Sequence, residues 1–226
     1  MEIKFMSRVI VDIETIGIEF DSLDHKSRDY LLKYAEDEKE RQKIKDNLGL
    51  NPLTGEIVTI GMYNPDTQRG LLYYRGGEGD IDFTEENMTF KVRDERGMLE
   101  CFWRDIKKYK QVVTFNGRTF DAPFLHLRSA ILKIKPSRNL VPYRYDYKIH
   151  CDLLEQLSYY GASRRFNLDF YTKQFGIRSP KEEGVDGSMV SEMFKEGKCR
   201  EIARYCARDI KATAELFHYW DEYLRF

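Results

Sequence analysis

Asp12 and Glu14 stand two residues apart in VIVDIETIGI, residues 9–18, a stretch that otherwise has the valine and isoleucine content of a buried β-strand. Alternate residues of a strand face the same side, so the two carboxylates share one face. Like charges held that close repel, and burial makes each ionised form more costly. A strand that keeps such a pair needs a source of positive charge. Hard divalent cations, which prefer oxygen ligands, are one such source.

Three further polar groups stand at the edges of apolar elements. Asp121, in VVTFNGRTFDAPFL, follows a buried strand and opens a helix, where the helix dipole favours an anion. Asp209, in EIARYCARDIKATAELF, lies within a terminal helix, beside the inward stripe of Ile202, Cys206, Ile210 and Leu216. Tyr205 precedes it by four residues, so phenol and carboxylate share a helix face. Each alone has an ordinary reading: Asp121 as an N-cap, Asp209 as a surface charge, Tyr205 as a core aromatic. Their conjunction points to cation binding, because four clustered acids without a cation repel strongly.

The elements that position these groups follow from the hydrophobic pattern. A first strand covers roughly residues 3 to 12. The charged stretch from about 19 to 55 reads as one or two solvated helices ending near Gly49 and Pro52. EIVTIGMYN and RGLLYYRG form a hairpin across NPDTQ, and a helix starts near Glu95 after an acidic, glycine-rich loop and a short extended piece. QVVTFNG is a short strand, DAPFLHLRSAILKI a helix, and YDYKIHCDL a further strand. Asp152 and Glu155 have capping-box spacing, and Asn167 caps a helix closed by Gly176. SMVSEMFKEG and a long helix from about Arg200 complete a small mixed sheet packed with helices, read as one domain over residues 1–226.

Composition narrows the class. The 226 residues carry 37 basic and 38 acidic side chains, so any nucleic-acid surface must be local. Four scattered cysteines without a Cys-x-x-Cys pair suit reduced thiols rather than a disulfide frame or a zinc site. No apolar run approaches the ~18 residues that span a bilayer. MEIKFMSRVI lacks a signal-peptide core, so a soluble, cytoplasmic protein is expected.

The order Asp12-x-Glu14, then Asn116 to Phe120-Asp121, then Tyr205 to Asp209 resembles the DEDDy 3′–5′ exonucleases of the ribonuclease H-like superfamily. TFNGRTFDAPFL, HCDLLEQL and GVDGSMV are similar to stand-alone proteins related to the exonuclease domain of family-B DNA polymerases. The charged stretch from 19 to 55 looks longer than that nuclease core needs. The resemblance implies an α/β ribonuclease H-like fold with a central mixed five-stranded sheet flanked by helices. It also implies two divalent cations, Mg²⁺ or Mn²⁺, held by Asp12, Glu14, Asp121 and Asp209. Asp12 would bridge them, Asp121 would act through a water, and Tyr205 would orient the attacking water. Thr15, Asn116 and Phe120 would lie at the terminal nucleotide, though each also reads as an ordinary strand, turn or core residue.

The implied substrate is a single-stranded DNA or RNA 3′ end, released as nucleoside 5′-monophosphates. A non-catalytic nucleic-acid-binding module and a structure-selective endonuclease on the same fold are the alternatives. Arg128, Lys133, Lys135, Arg138, Arg144 and Lys148, interleaved with Tyr143, Tyr145 and Tyr147, suit a single strand or a half-buried strand face equally. Arg164 and Arg165 add either phosphate contacts or solubility, and His150 with Asp152 either a second polar pair or a capping residue and its neighbour.

Overall fold

The computed structural model describes residues 7–179 and 187–225. Seven strands form one mixed sheet: β1 Arg8–Gly17, β2 Gly55–Asn64, β3 Arg69–Tyr74, β4 Phe83–Glu85, β5 Met88–Val92, β6 Gln111–Thr114 and β7 His150–Asp152. Their order across the sheet is β4-β5-β3-β2-β1-β6-β7. β1 is an interior strand of this sheet. β1 pairs antiparallel with β2 on one side and parallel with β6 on the other, which buries both of its edges.

Eight helices surround the sheet among the described residues: α1 His25–Leu32, α2 Glu38–Asp46, α3 Glu95–Asp105, α4 Asp121–Ile131, α5 Leu153–Leu157, α6 Leu168–Gln174, α7 Val190–Lys195 and α8 Cys199–Tyr223. Strand alternation sorts them into two layers. Val9, Val11 and Ile13 join the core under α3 and α4, whereas Ile10 joins the core under α8. Asp12 and Glu14 share the parity of Ile10, so they face α8. No described helix is long and apolar enough to cross a membrane.

The class of fold is the one expected, with two strands more than the expected five. The added pair is the β4–β5 hairpin, which extends the sheet beyond β3 through a parallel β3–β5 ladder. Its first strand, Phe83–Glu85, is three residues long, too short for alternation to show. Two boundaries also shift. β1 runs on to Gly17, because antiparallel pairing with β2 continues past the carboxylates to Gly17↔Gly55. The strand expected over YDYKIHCDL shrinks to His150–Asp152, since the residues before it form turns. The charged stretch, expected to hold one or two solvated helices, contains two, capped by Asp24 and Asp37. The GVD part of GVDGSMV and strand residues 3 to 6 lie outside the described residues.

Candidate active site

The site is assembled by three elements that meet at the middle of the sheet. β1 contributes Asp12 and Glu14 on one face. A register irregularity follows at once: Glu14 pairs with Thr59, but Thr15 pairs with Ile57, so Val58 is the extra residue on β2. Such a bulge bends and twists the strand next to it. The hydroxyl of Thr15 donates to the Gly49 carbonyl at 2.7 Å, tying the charged segment between β1 and β2 to the strand end beside Glu14.

α8 brings Tyr205, Cys206 and Asp209 to the same face. Gly61 of β2, directly opposite Asp12, lets the helix come close. A β-carbon there would lie 2.0 Å from Ile210 Cδ1 and 3.1 Å from Cys206 Sγ. Cys206 Sγ lies 3.5 Å from Asp12 Oδ2, and ligand atoms of Asp12, Glu14 and Cys206 all fall within 4.8 Å of one another. Tyr205 is hydrogen-bonded to Asp209.

Asp121 arrives from the other layer, as the first residue of α4. It is not the N-cap; that position is Phe120, whose side chain makes no capping bond. Instead Asp121 Oδ1 accepts the backbone N–H of Ile13 at 3.1 Å, fixing the carboxylate against β1. The loop before it is fixed just as closely. Asp152 caps α5 and also accepts the N–H groups of Asn116 and Arg118, each at 2.9 Å. Asn116 has φ +64°, a left-handed conformation that asparagine tolerates, and a β-carbon at Gly117 would lie 2.5 Å from Thr114.

The four carboxylates act on one another through their charges. Burial first, then the charges of Asp121, Glu14 and Asp209, hold Asp12 well above the usual carboxylate range; the Cys206 hydrogen bond opposes this. Glu14 is raised likewise, by burial and then by Asp209 and Asp121. Burial pushes Asp121 up to about 7, against the hydrogen bonds from backbone N–H groups. Burial followed by Asp209, Glu14 and Asp12 raises the Tyr205 phenol, so it holds its proton. Among the described residues, no lysine or arginine figures in the charges acting on Asp12, Glu14 or Asp121.

That donor set fits hard divalent cations: oxygen ligands in excess, and an electrostatic deficit that positive charge relieves. Burial also raises the Cys206 thiol, keeping it protonated and able to donate to Asp12. It is a partner of the carboxylate rather than a thiolate ligand.

A cleft of about 300 Å³ opens over Asp12, Tyr205 and Asp209, bounded by Phe115, Asn116, Leu154 and the segment Phe166–Asp169. Asn116 therefore reaches the carboxylate cleft, with its Oδ1 accepting from Thr119 Oγ1 at 2.8 Å. Phe120 does not line this cleft; its ring packs on Phe124 at 5.4 Å, in the core under α3 and α4. Two contributions escape sequence reasoning. Cys206 reads there only as a stripe residue, although its place between Tyr205 and Asp209 puts it beside the acids. Asn167 reads only as a helix cap; it does cap α6, bonding Phe170 N at 2.9 Å, and it also lines the cleft.

The secondary candidates separate clearly. His150 bridges Thr114 Oγ1 at 2.8 Å and the Leu140 carbonyl at 2.7 Å, and burial lowers it to about 4, so it is a neutral core histidine. Arg128 is buried in a bidentate pair with Glu95, at 2.8 and 2.6 Å, and is no part of a basic surface. Arg138 donates to the carbonyls of Tyr109 and Lys110.

A mixed sheet flanked by helices thus brings carboxylates from β1, α4 and α8 into electrostatic contact. A family model described as "Predicted 3'-5' exonuclease related to the exonuclease domain of PolB" matches residues 78–221, more than half of the chain, and the chain belongs to that family. The matched segment holds Asp121, Tyr205 and Asp209; Asp12 and Glu14 precede it. The chain is similar to a DNA polymerase of Pyrococcus glycovorans, 31% identical over 147 residues, covering 55% of this chain and 18% of the relative. It is also similar to DNA polymerase 1 of Aeropyrum pernix, 30% identical over 116 residues, covering 46% of this chain and 12% of the relative. Among solved structures, the family B DNA polymerase of Pyrobaculum calidifontis matches with a TM-score of 0.62 and 18% identity, over 95% of this chain and 24% of the polymerase. The chain thus spans less than a quarter of these polymerases, and the structural likeness is one of fold.

Proposed function

We propose that the protein is a metal-dependent 3′–5′ exonuclease that removes nucleoside 5′-monophosphates from single-stranded ends. One observation carries this reading: Asp12 and Asp209 line a cleft beside Tyr205, and the charges of Glu14 and Asp121 act on Asp12 from the same neighbourhood, with no basic side chain among the leading charges that shift Asp12, Glu14 and Asp121. Divalent cations such as Mg²⁺ or Mn²⁺, when bound, supply positive charge to the phosphoryl oxygens and acidify the attacking water. Asp12, Glu14, Asp121 and Asp209 are the residues that would hold them.

The chain's own groups divide the remaining work. Tyr205, protonated and donating its hydrogen bond to Asp209, would accept one from the water and so orient it. With its phenol raised above its ordinary value, it does not act as a general base. Cys206 holds the Asp12 carboxylate from beneath. In the hydrolysis, water adds to phosphorus, the O3′–P bond breaks, and the departing O3′ takes a proton.

Access favours a frayed end. Asp12 and Asp209 line a cleft of about 300 Å³, room for one splayed nucleotide rather than a duplex. Asn116 would meet that nucleotide. The backbone at Thr15, held through the Gly49 contact, would lie near its sugar. The test is degradation of a 5′-labelled single strand with Mg²⁺ or Mn²⁺: a ladder shortening from the 3′ end supports the reading. A circular single strand that is cut would replace it with the endonuclease alternative.

A further inference from the structure

Tyr171 joins the carboxylate cleft to a second groove, of about 480 Å³. Its ring packs edge-on against Phe115 at 5.9 Å and Phe166 at 6.1 Å, both lining the cleft, while Tyr171 itself lines the groove. The groove is otherwise largely aromatic, built on Tyr145, Tyr147, Tyr159, Tyr160 and Trp220. Arg225 is the one charged group among its described lining residues, and no acid lines it. Arg144 adds a second cation, its guanidinium 5.9 Å from the Tyr160 ring centroid. Each arginine has a carboxylate partner, Asp221 for Arg225 and Glu155 for Arg144, yet their side chains stay 45% and 44% exposed.

Tyr159 and Tyr160 have φ +50° and +57°, in the left-handed region that bulky side chains avoid. Such residues persist where surrounding contacts enforce them. Gln156 Nε2 donates to the Tyr160 hydroxyl at 2.8 Å, and Tyr145 packs edge-on against the Tyr160 ring at 4.6 Å. Tyr159 is 63% and Tyr145 54% exposed, while Tyr160 is half-buried.

We propose that this groove is a second nucleic-acid subsite, where bases several nucleotides upstream of the 3′ end stack on Tyr145 and Tyr159. Aromatic faces accept any base, and half-exposed guanidinium groups answer the phosphates. The reach is consistent. Along α8, Asp209 lies in the cleft and Trp220 in the groove, eleven residues on, or roughly 16 Å at 1.5 Å per residue. That corresponds to roughly five stacked nucleotides at 3.4 Å each. Proline-rich peptides also use aromatic grooves; the arginines and the ring-to-ring continuity with the cleft favour a strand. The assignment of the strand's direction rests on the exonuclease reading, whereas binding itself does not.

The test measures fluorescence anisotropy of fluorescein-labelled thymidine 12-mer and 3-mer with the full chain in EDTA. Stacking losses of about fivefold per tyrosine predict that Tyr145→Ala with Tyr159→Ala weakens the 12-mer about 25-fold and leaves the 3-mer unaffected. Tyr145→Phe with Tyr159→Phe keeps the affinity. Equal 12-mer affinity in the wild type and a double alanine variant that melts normally overturns the proposal. Independently of any variant, 5-iododeoxyuridine placed five nucleotides from the 3′ end should photocrosslink to the 143–160 segment. Crosslinking elsewhere, or occupation of the groove by decaproline but not by the 12-mer, overturns it as well. Failure of the wild type to shorten the 3-mer with Mg²⁺ would instead count against the exonuclease reading, leaving the binding result intact.

Discussion

The backbone N–H of Ile13 donates to Asp121 Oδ1 at 3.1 Å, so the strand that carries Asp12 and Glu14 also aims the carboxylate of another layer. Charge and orientation at Asp121 can therefore be separated. Asp121→Asn keeps an acceptor for Ile13 and should fold normally, with activity down about a thousandfold, several kcal/mol of transition-state charge stabilisation. Asp121→Ala should lose the activity and about 1–3 kcal/mol of stability besides, from a buried N–H left unpaired. Denaturant titration beside a rate assay distinguishes them; equal stability of the two variants would remove the Ile13 contact from its orienting role.

The same carboxylate gives the metal-free protein a defined pH dependence. Asp121 lies near 7 in the fold and near 3.9 in the unfolded chain. A folded value above the unfolded one means that its ionisation disfavours the fold: the protein is least burdened below pH 4 and progressively more so up to about 7. In EDTA, Asp121→Asn should gain on the wild type as pH rises through that window. Mg²⁺ or Mn²⁺ should raise the wild-type melting temperature more than the variant's. A stability difference independent of pH would contradict this electrostatic account.

Gly61→Ala tests how packing sets the site. The added methyl meets Ile210 Cδ1 at 2.0 Å and Cys206 at 3.1 Å, so α8 must shift or Ile210 must repack. Overpacking of this kind typically costs about 1–3 kcal/mol. Because Tyr205, Cys206 and Asp209 ride on the same helix, activity should fall together with stability. A variant that is destabilised but fully active would show that the carboxylates tolerate movement of α8.

Tyr205→Phe removes the hydroxyl that bonds Asp209 and would orient the water, and no metal ligand. A loss of roughly ten- to a hundredfold in turnover is expected, the equivalent of about 1.5–3 kcal/mol in the transition state. Substrate affinity should change little. An unaltered rate would remove the tyrosine from water positioning.

Much of this site is legible in the chain because carboxylates stand out against apolar elements. Asp12 and Glu14 break a valine–isoleucine run, and Asp121 and Asp209 adjoin hydrophobic stripes. The two-residue period of β1 alone puts Asp12 and Glu14 on one face. What stays hidden depends on tertiary contact. Asp121 has the sequence signature of an N-cap, and only its distant partner Ile13 gives it another role. Cys206 is indistinguishable from a core residue until Asp12 lies against it. Arg128 looks like part of a basic surface, but Glu95, 33 positions earlier, takes it into the core. The β4–β5 hairpin is missed for a local reason, as Phe83–Glu85 is too short to display a period.

The central claim is that the converging acids work only with divalent cations, on a 3′ end. A 5′-labelled thymidine 12-mer incubated with the protein tests it directly, with Mg²⁺ or Mn²⁺ and with EDTA, alongside Asp12→Asn and Asp209→Asn. The account predicts a ladder of progressively shorter labelled products for the wild type with metal, and an intact 12-mer in EDTA and in both variants. An intact 12-mer with the wild type and both metals, or an undiminished ladder from either variant, would contradict it.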